Sequence, residues 1–260
     1  MNRRQNYAAA VVQRRRAEQQ RLERQRLERQ RLEQQTPERQ QPEPQQFERQ
    51  SDIFLKEQQS RITNHDFTIF SDDCIGGMIS QELGKQYRSP TTLLRMYASD
   101  FIEFLEHLDV YLNAKMRANG SGVFGRNRRY PIGLLGKRVA IHFMHSNSFE
   151  EGAADWERRK AWINYENIFL KMSDSYGATP GLIKRYLKLP YPKLLYTSDA
   201  RINHPDVCYI PKRGEDGRPN WPLYAYKANG IMSFWQFDVV AWLNARGTLT
   251  VRDIIQMNKN

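Results

Sequence analysis

The sequence predicts an α/β fold: a layered, Rossmann-like arrangement with a mainly parallel sheet flanked by helices, preceded by a helical low-complexity arm. Three observations carry that prediction. Short apolar runs at 67–70, 139–144, 168–172 and 194–196 are each long enough for a buried strand. Amphipathic stretches with helix-start signals lie between them. The two kinds of segment alternate along the chain, which is the pattern of strand, helix and parallel strand.

The arm comes first. Residues 1–50 hold 12 Arg, 7 Glu and 13 Gln, so this fifth of the chain supplies +5 of the net +11 and almost no apolar mass. Its repeat, Arg21-Leu22-Glu23-Arg24-Gln25 and two further copies, is built from strong helix formers. A five-residue period advances about 140° around a helix, so Leu22, Leu27 and Leu32 face different sides and form no heptad seam. A solvated single helix is expected from Tyr7 to Gln35, ended by Pro37 and followed by a Pro/Gln linker. It serves either as a spacer or, through Arg14, Arg15 and Arg16 beside Ala8 to Val12, as a hold on an anionic membrane surface or a protein partner. The α/β domain then runs over 51–260, with 200–260 as a candidate smaller C-terminal addition.

Within the body, Ser89-Pro90 has the form of a cap and first-turn proline. A buried stripe follows at Leu94, Tyr97, Phe101, Leu105, Leu108 and Leu112, up to Asn119-Gly120, with a possible break near Ala98. Ser148 with Glu151 has capping-box spacing, and Thr179-Pro180 starts another helix. Beyond Asp199 the pattern loosens through His204-Pro205, with a hairpin expected near Tyr224 to Tyr226. Ser233 with Gln236 is read as capping a helix through Trp242, and Thr250 with Asp253 as capping the last one.

Two cysteines in 260 residues make no disulfide framework, which favours a reducing compartment. No stretch approaches the roughly 18 apolar residues of a membrane span. A cytoplasmic location is expected, peripheral to the inner membrane if the arm binds there. The body's charge of +6 favours acidic or phosphorylated ligands. No nucleic-acid-reading motif accompanies that charge, so nucleic acid is not an expected partner.

Ligands of open parallel sheets bind beyond the carboxyl ends of the strands. The residues following the four predicted strands are Asp72-Asp73-Cys74, then His142 and His145, then Ser173-Asp174-Ser175, then Thr197-Ser198-Asp199. In the first of these turns, Gly76 and Gly77 open a helix whose free N–H groups attract anions, which makes them candidate phosphate ligands. Cys74 at that helix start is either a nucleophile, with His145 as base and Asp174 as orienter, or a buried filler. Asp73 is a candidate ligand for Mg²⁺ or Mn²⁺ bridging to a nucleotide sugar, or else a solvated loop residue. Gly76-Gly77 lacks both the dinucleotide fingerprint and the lysine of a triphosphate loop.

The motifs Cys74-x-Gly76-Gly77, Ser89-Pro90, Tyr130-Pro131-x-Gly133, His142-Phe143-x-His145, Trp156-x-x-Arg159 and Asn167-Ile168-Phe169 occur in an order that resembles one known family. It is a bacterial family of unknown function found among exopolysaccharide and capsule biosynthesis proteins. The resemblance covers about residues 66–245. It implies a part in surface-polysaccharide assembly and assigns no catalytic residue. The family tends to carry Asn where this chain has Asp72 and Asp73, and the arm lies outside its pattern. The expectation is therefore a glycosyltransferase-like transferase binding a sugar phosphate or nucleotide sugar. The alternatives are a Cys-dependent acyltransferase or hydrolase, or a non-catalytic assembly or regulatory protein.

Overall fold

The computed structural model describes residues 44–124, 128–211, 222–224, 226, 227 and 229–259. The helix expected over Tyr7 to Gln35 lies outside them. The first described helix is α1 (Pro44–Arg61). It places Phe54 edge-on to Trp235, with ring centroids 5.5 Å apart.

The centre is a four-stranded parallel sheet of β1 (Thr68–Ser71), β5 (Ile168–Ser173), β6 (Lys193–Thr197) and β7 (Val207–Tyr209), in that spatial order. Neighbouring residues of one strand feed opposite cores, as the two-residue period requires. Phe70, Leu170 and Leu195 enter one core; Ile69, Phe169 and Leu194 enter the other. The first core is completed by α3 (Ala98–Glu106), α4 (Leu108–Leu112), α5 (Phe149–Lys160) and α6 (Pro180–Leu187), which bring Phe101, Leu105, Trp156 and Tyr186. The second is completed by α2 (Ile75–Glu82), α7 (Val239–Ala245) and α8 (Val251–Met257), with Ile79, Trp242 and Ile254. Both faces are covered, which explains why the strands read as unbroken apolar runs. The strand order is sequential, so among the described strands no reversal creates a switch-point crevice.

The run at 139–144 forms a strand, but not of this sheet. β4 (Val139–His142) pairs antiparallel with β3 (Arg128–Leu135), which pairs antiparallel with β2 (Met116–Phe124). β2 is illegible by apolar pattern because its sequence is Met-Arg-Ala-Asn-Gly-Ser-Gly-Val-Phe, and its register shifts between Ala118 and Ser121. The helix expected to reach Asn119 therefore stops at Leu112.

Ser89 does not cap a helix. Its side chain accepts from Thr91 N within a turn, and the helix starts at Ala98, the position of the anticipated break. Tyr97, counted in the buried stripe, is 43% exposed. Asp100 reaches across to Ala140 N instead of closing a capping box. Ser233–Gln236 is a single 3₁₀ turn, and Asp238 caps α7 in its place. The hairpin expected near Tyr224 reduces to one bridge, Tyr226 to Met232. The local signals at Ser148, Thr179 and Thr250 hold: each hydroxyl accepts a backbone N–H at its helix start, and Thr250 with Asp253 forms a full capping box.

Candidate functional site

The C-terminal ends of β1 and β5 meet in three ionisable side chains that are almost wholly enclosed. Lys171 Nζ donates to Asp72 Oδ1 at 3.1 Å and to Asp73 Oδ1 at 2.6 Å, and all three residues are at most 2% exposed. Strand register places them together, since Ser71 lies opposite Lys171 in the β1–β5 ladder. Asp72 Oδ2 accepts from both Ser173 N and Ser173 Oγ at 3.0 Å. Two carboxylates thus share one ammonium. Burial pushes the Asp72 carboxyl up to about 6, with Lys171 opposing and Asp73 adding to the rise. Burial alone would lower Lys171, but the two carboxylates outweigh it and hold the ammonium above its ordinary value. Lys171 was not among the candidates read from the sequence. Its signal was a lone lysine inside the apolar run Ile-Phe-Leu-Lys-Met-Ser, one register step from an acid pair.

Asp73 also occupies the helix start expected to hold a phosphate. Ile75 N donates to Asp73 Oδ1 at 3.0 Å, and Gly76 N donates to Ser71 Oγ at 3.3 Å. The anion at this N-terminus is the chain's own carboxylate. Gly76 and Gly77 serve packing: a Cβ on Gly76 would lie 2.7 Å from Ser71 Cβ, and one on Gly77 would lie 2.7 Å from Thr92 Cγ2. These glycines bring α2 against β1 and the 89–93 turn.

Cys74 and His145 do come together, with Sγ 3.2 Å from Nε2. The expected fall in the thiol pKa is reversed. Burial, reinforced by Asp73, pushes Cys74 up to about 12, against which the short helix offers little. His145 is lowered by burial, then by Arg128 and Arg95. At neutral pH this is an uncharged thiol beside an uncharged imidazole. Asp174 is not its orienter: Asp174 Oδ2 accepts from Thr197 Oγ1 at 2.8 Å, Ser198 N at 2.7 Å and Ser198 Oγ at 3.0 Å. Among the described residues no hydrogen bond joins Asp174 to His145. His142, the last residue of β4, is buried with Nδ1 3.2 Å from the Tyr130 hydroxyl.

Asp73 Oδ2 is buried and has no hydrogen-bond partner among the described residues. Asp73 lines a narrow cleft with Asp174, Ser175, Thr197, Ser198 and Tyr224. Asp174 and Ser198 also border a wider groove of about 1130 Å³, whose far side carries Lys184, Lys188 and Arg201. A second acidic group, Glu103 and Glu106 with His107, has ligand atoms within 4.8 Å of one another. Its cation is already supplied, because Arg185 binds Glu106 through two nitrogens.

Fold and site together define a layered α/β protein with a polar cleft at the C-terminal edge of a parallel sheet. The chain belongs to the family described as a domain of unknown function (DUF1919), whose model matches residues 45–244. It is similar to an uncharacterized protein of Haemophilus influenzae, 28% identical over 199 residues that make up 76% of this chain and 93% of the relative. The family match contains every site residue named above and leaves out most of the arm. Among the described residues no helix is long and apolar enough to cross a membrane.

Proposed function

We propose that this protein is a transferase that binds a phosphate-bearing sugar at the C-terminal edge of its parallel sheet and acts in surface-polysaccharide assembly. The observation that carries the binding site is Asp73 Oδ2. A buried carboxylate oxygen with no donor costs about 1–3 kcal/mol or more, and such a group is retained where a ligand completes it. The cleft it faces offers carboxylates, hydroxyls and the Tyr224 ring, the groups that pair with a polyol. Asp174 has one oxygen held by three donors and the other without a hydrogen bond among the described residues, which suits a base for an acceptor hydroxyl. The same two free oxygens, on Asp73 and Asp174, are the hard donors that would hold Mg²⁺ or Mn²⁺ against a diphosphate. The link to polysaccharide rests on the motifs shared with the capsule and exopolysaccharide family. The thiol route receives less support, because a Cys74 pushed up to about 12 is not a thiolate at pH 7.

A thermal-shift screen with nucleotide sugars, with and without Mn²⁺, tests the reading. A donor at one hundred times its Kd stabilises the fold by about 2.7 kcal/mol. That shift is expected for the wild type, to persist in Cys74→Ser and to vanish in Asp73→Asn. Absence of a shift with every donor, or equal shifts in Asp73→Asn, would sink it.

A further inference from the structure

The helix N–H groups expected to take the donor's phosphate are bonded to Asp73 and Ser71, so the phosphate needs another holder. Arg95 has the geometry of one. Its backbone is locked to the end of β4, with Arg95 N donating to His142 O and His142 N to Arg95 O, both at 2.9 Å. Its guanidinium carbon lies 4.5 Å from the centroid of the Tyr176 ring. Tyr176 is itself pinned, with its carbonyl accepting from Ala98 N at 3.0 Å and its hydroxyl bonded to Tyr224 of the Asp73 cleft. Stacking uses the face of a guanidinium and leaves its N–H edge, the part that grips phosphate with two parallel hydrogen bonds.

Backbone strain gathers at the same place. Of the three described non-glycine residues with positive φ, Leu93 at 60° lies two residues before Arg95 and Tyr176 at 55° lies beneath it. Residues held in that region concentrate at ligand clamps, where surrounding structure over-determines them. The charge of Arg95 also reaches Cys74, Tyr130, His142, His145 and Tyr176, so one guanidinium sits among most of the titratable groups on this side of the cleft. Arg128, from the start of β3, adds positive charge at His145.

We infer that Arg95, stacked on Tyr176 and seconded by Arg128, is the phosphate anchor of the site, so that a sugar phosphate spans from this guanidinium to the Asp73 cleft through Tyr176 and Tyr224. The inference rests on the sugar-phosphate reading and deepens it by separating the phosphate end from the sugar end. It also assigns the second, antiparallel sheet a role, since β4 carries the backbone that holds Arg95.

Calorimetric titration of the full-length protein with inorganic pyrophosphate, and separately with an unphosphorylated hexose, tests it. Arg95→Gln is expected to weaken pyrophosphate about tenfold or more and to leave hexose binding unchanged. Arg95→Lys keeps the charge without the fork and should fall between the two. Asp73→Asn should do the reverse, losing hexose and keeping pyrophosphate. Pyrophosphate binding within twofold of wild type in Arg95→Gln overturns the inference, as does a wild type that binds no pyrophosphate at millimolar concentration. If Arg95→Gln does not fold, Arg95→Lys decides: wild-type pyrophosphate affinity in that folded variant overturns the anchor. Loss of pyrophosphate in Lys184→Gln with none in Arg95→Gln places the anion in the outer groove and overturns it too. An unchanged hexose affinity in Asp73→Asn strikes the sugar-site reading and leaves the anchor standing.

Discussion

Two ion clusters in this molecule have similar composition and opposite meaning. Asp72, Asp73 and Lys171 are enclosed, and their two acids share one base. Glu103, Glu106 and Arg185 lie at the surface, where Arg185 is 45% exposed and solvent completes whatever the partners leave unpaired. Water screens the second cluster, so its geometry carries little energy. In the first, each missing partner has a cost, and the oxygen left over on Asp73 therefore points to a ligand.

That contrast can be broken by substitution. Lys171→Met removes the ammonium from two buried carboxylates and is expected to destabilise the fold by about 3–5 kcal/mol, measured by urea unfolding. A loss under about 1 kcal/mol would mean the cluster is wetter than its burial indicates.

A pH profile probes the same cluster. Asp72 keeps its proton up to about pH 6 in the folded chain but only to its ordinary 3.8 once unfolded. The native state therefore binds more protons in that window, and the Asp72 contribution to stability declines as pH rises from about 4 to 6. Asp72→Asn should flatten that part of the profile; a profile unchanged by the substitution would contradict the assignment. The smallest effect belongs to the surface. Arg185→Ala should cost under about 1 kcal/mol and less still in high salt, and a loss as large as that of Lys171→Met would erase the distinction between the clusters.

The difference between the clusters was only half visible in the chain. Asp72 and Asp73 stand out at the end of an apolar run, and a cleft at the ends of the strands was expected. Cys74, His145 and Asp174 were all placed at strand or helix ends, and the first two meet. Asp174 instead ties the end of β5 to the turn after β6, because Thr197 and Ser198 offer it three donors at hydrogen-bond distance. Arg95 went unread because it belongs to an irregular stretch between a turn and a helix, with no period to place it. Lys171 was hidden for another reason: a lone lysine in a strand ordinarily lowers the expectation of burial.

By itself the sequence determined what depends on near neighbours. The caps at Thr179 and Thr250 need only three residues, and the runs that became β1, β5 and β6 need only their own apolar side chains. Tertiary structure decided what depends on distance along the chain. Lys171 meets Asp73 across 98 residues, and β4 joined an antiparallel sheet because a strand's own side chains do not specify which edge its backbone will pair with. The same holds for charge: whether Asp73 is a solvated turn residue or a buried oxygen in need of a donor is set by the strands and helices that exclude water around it.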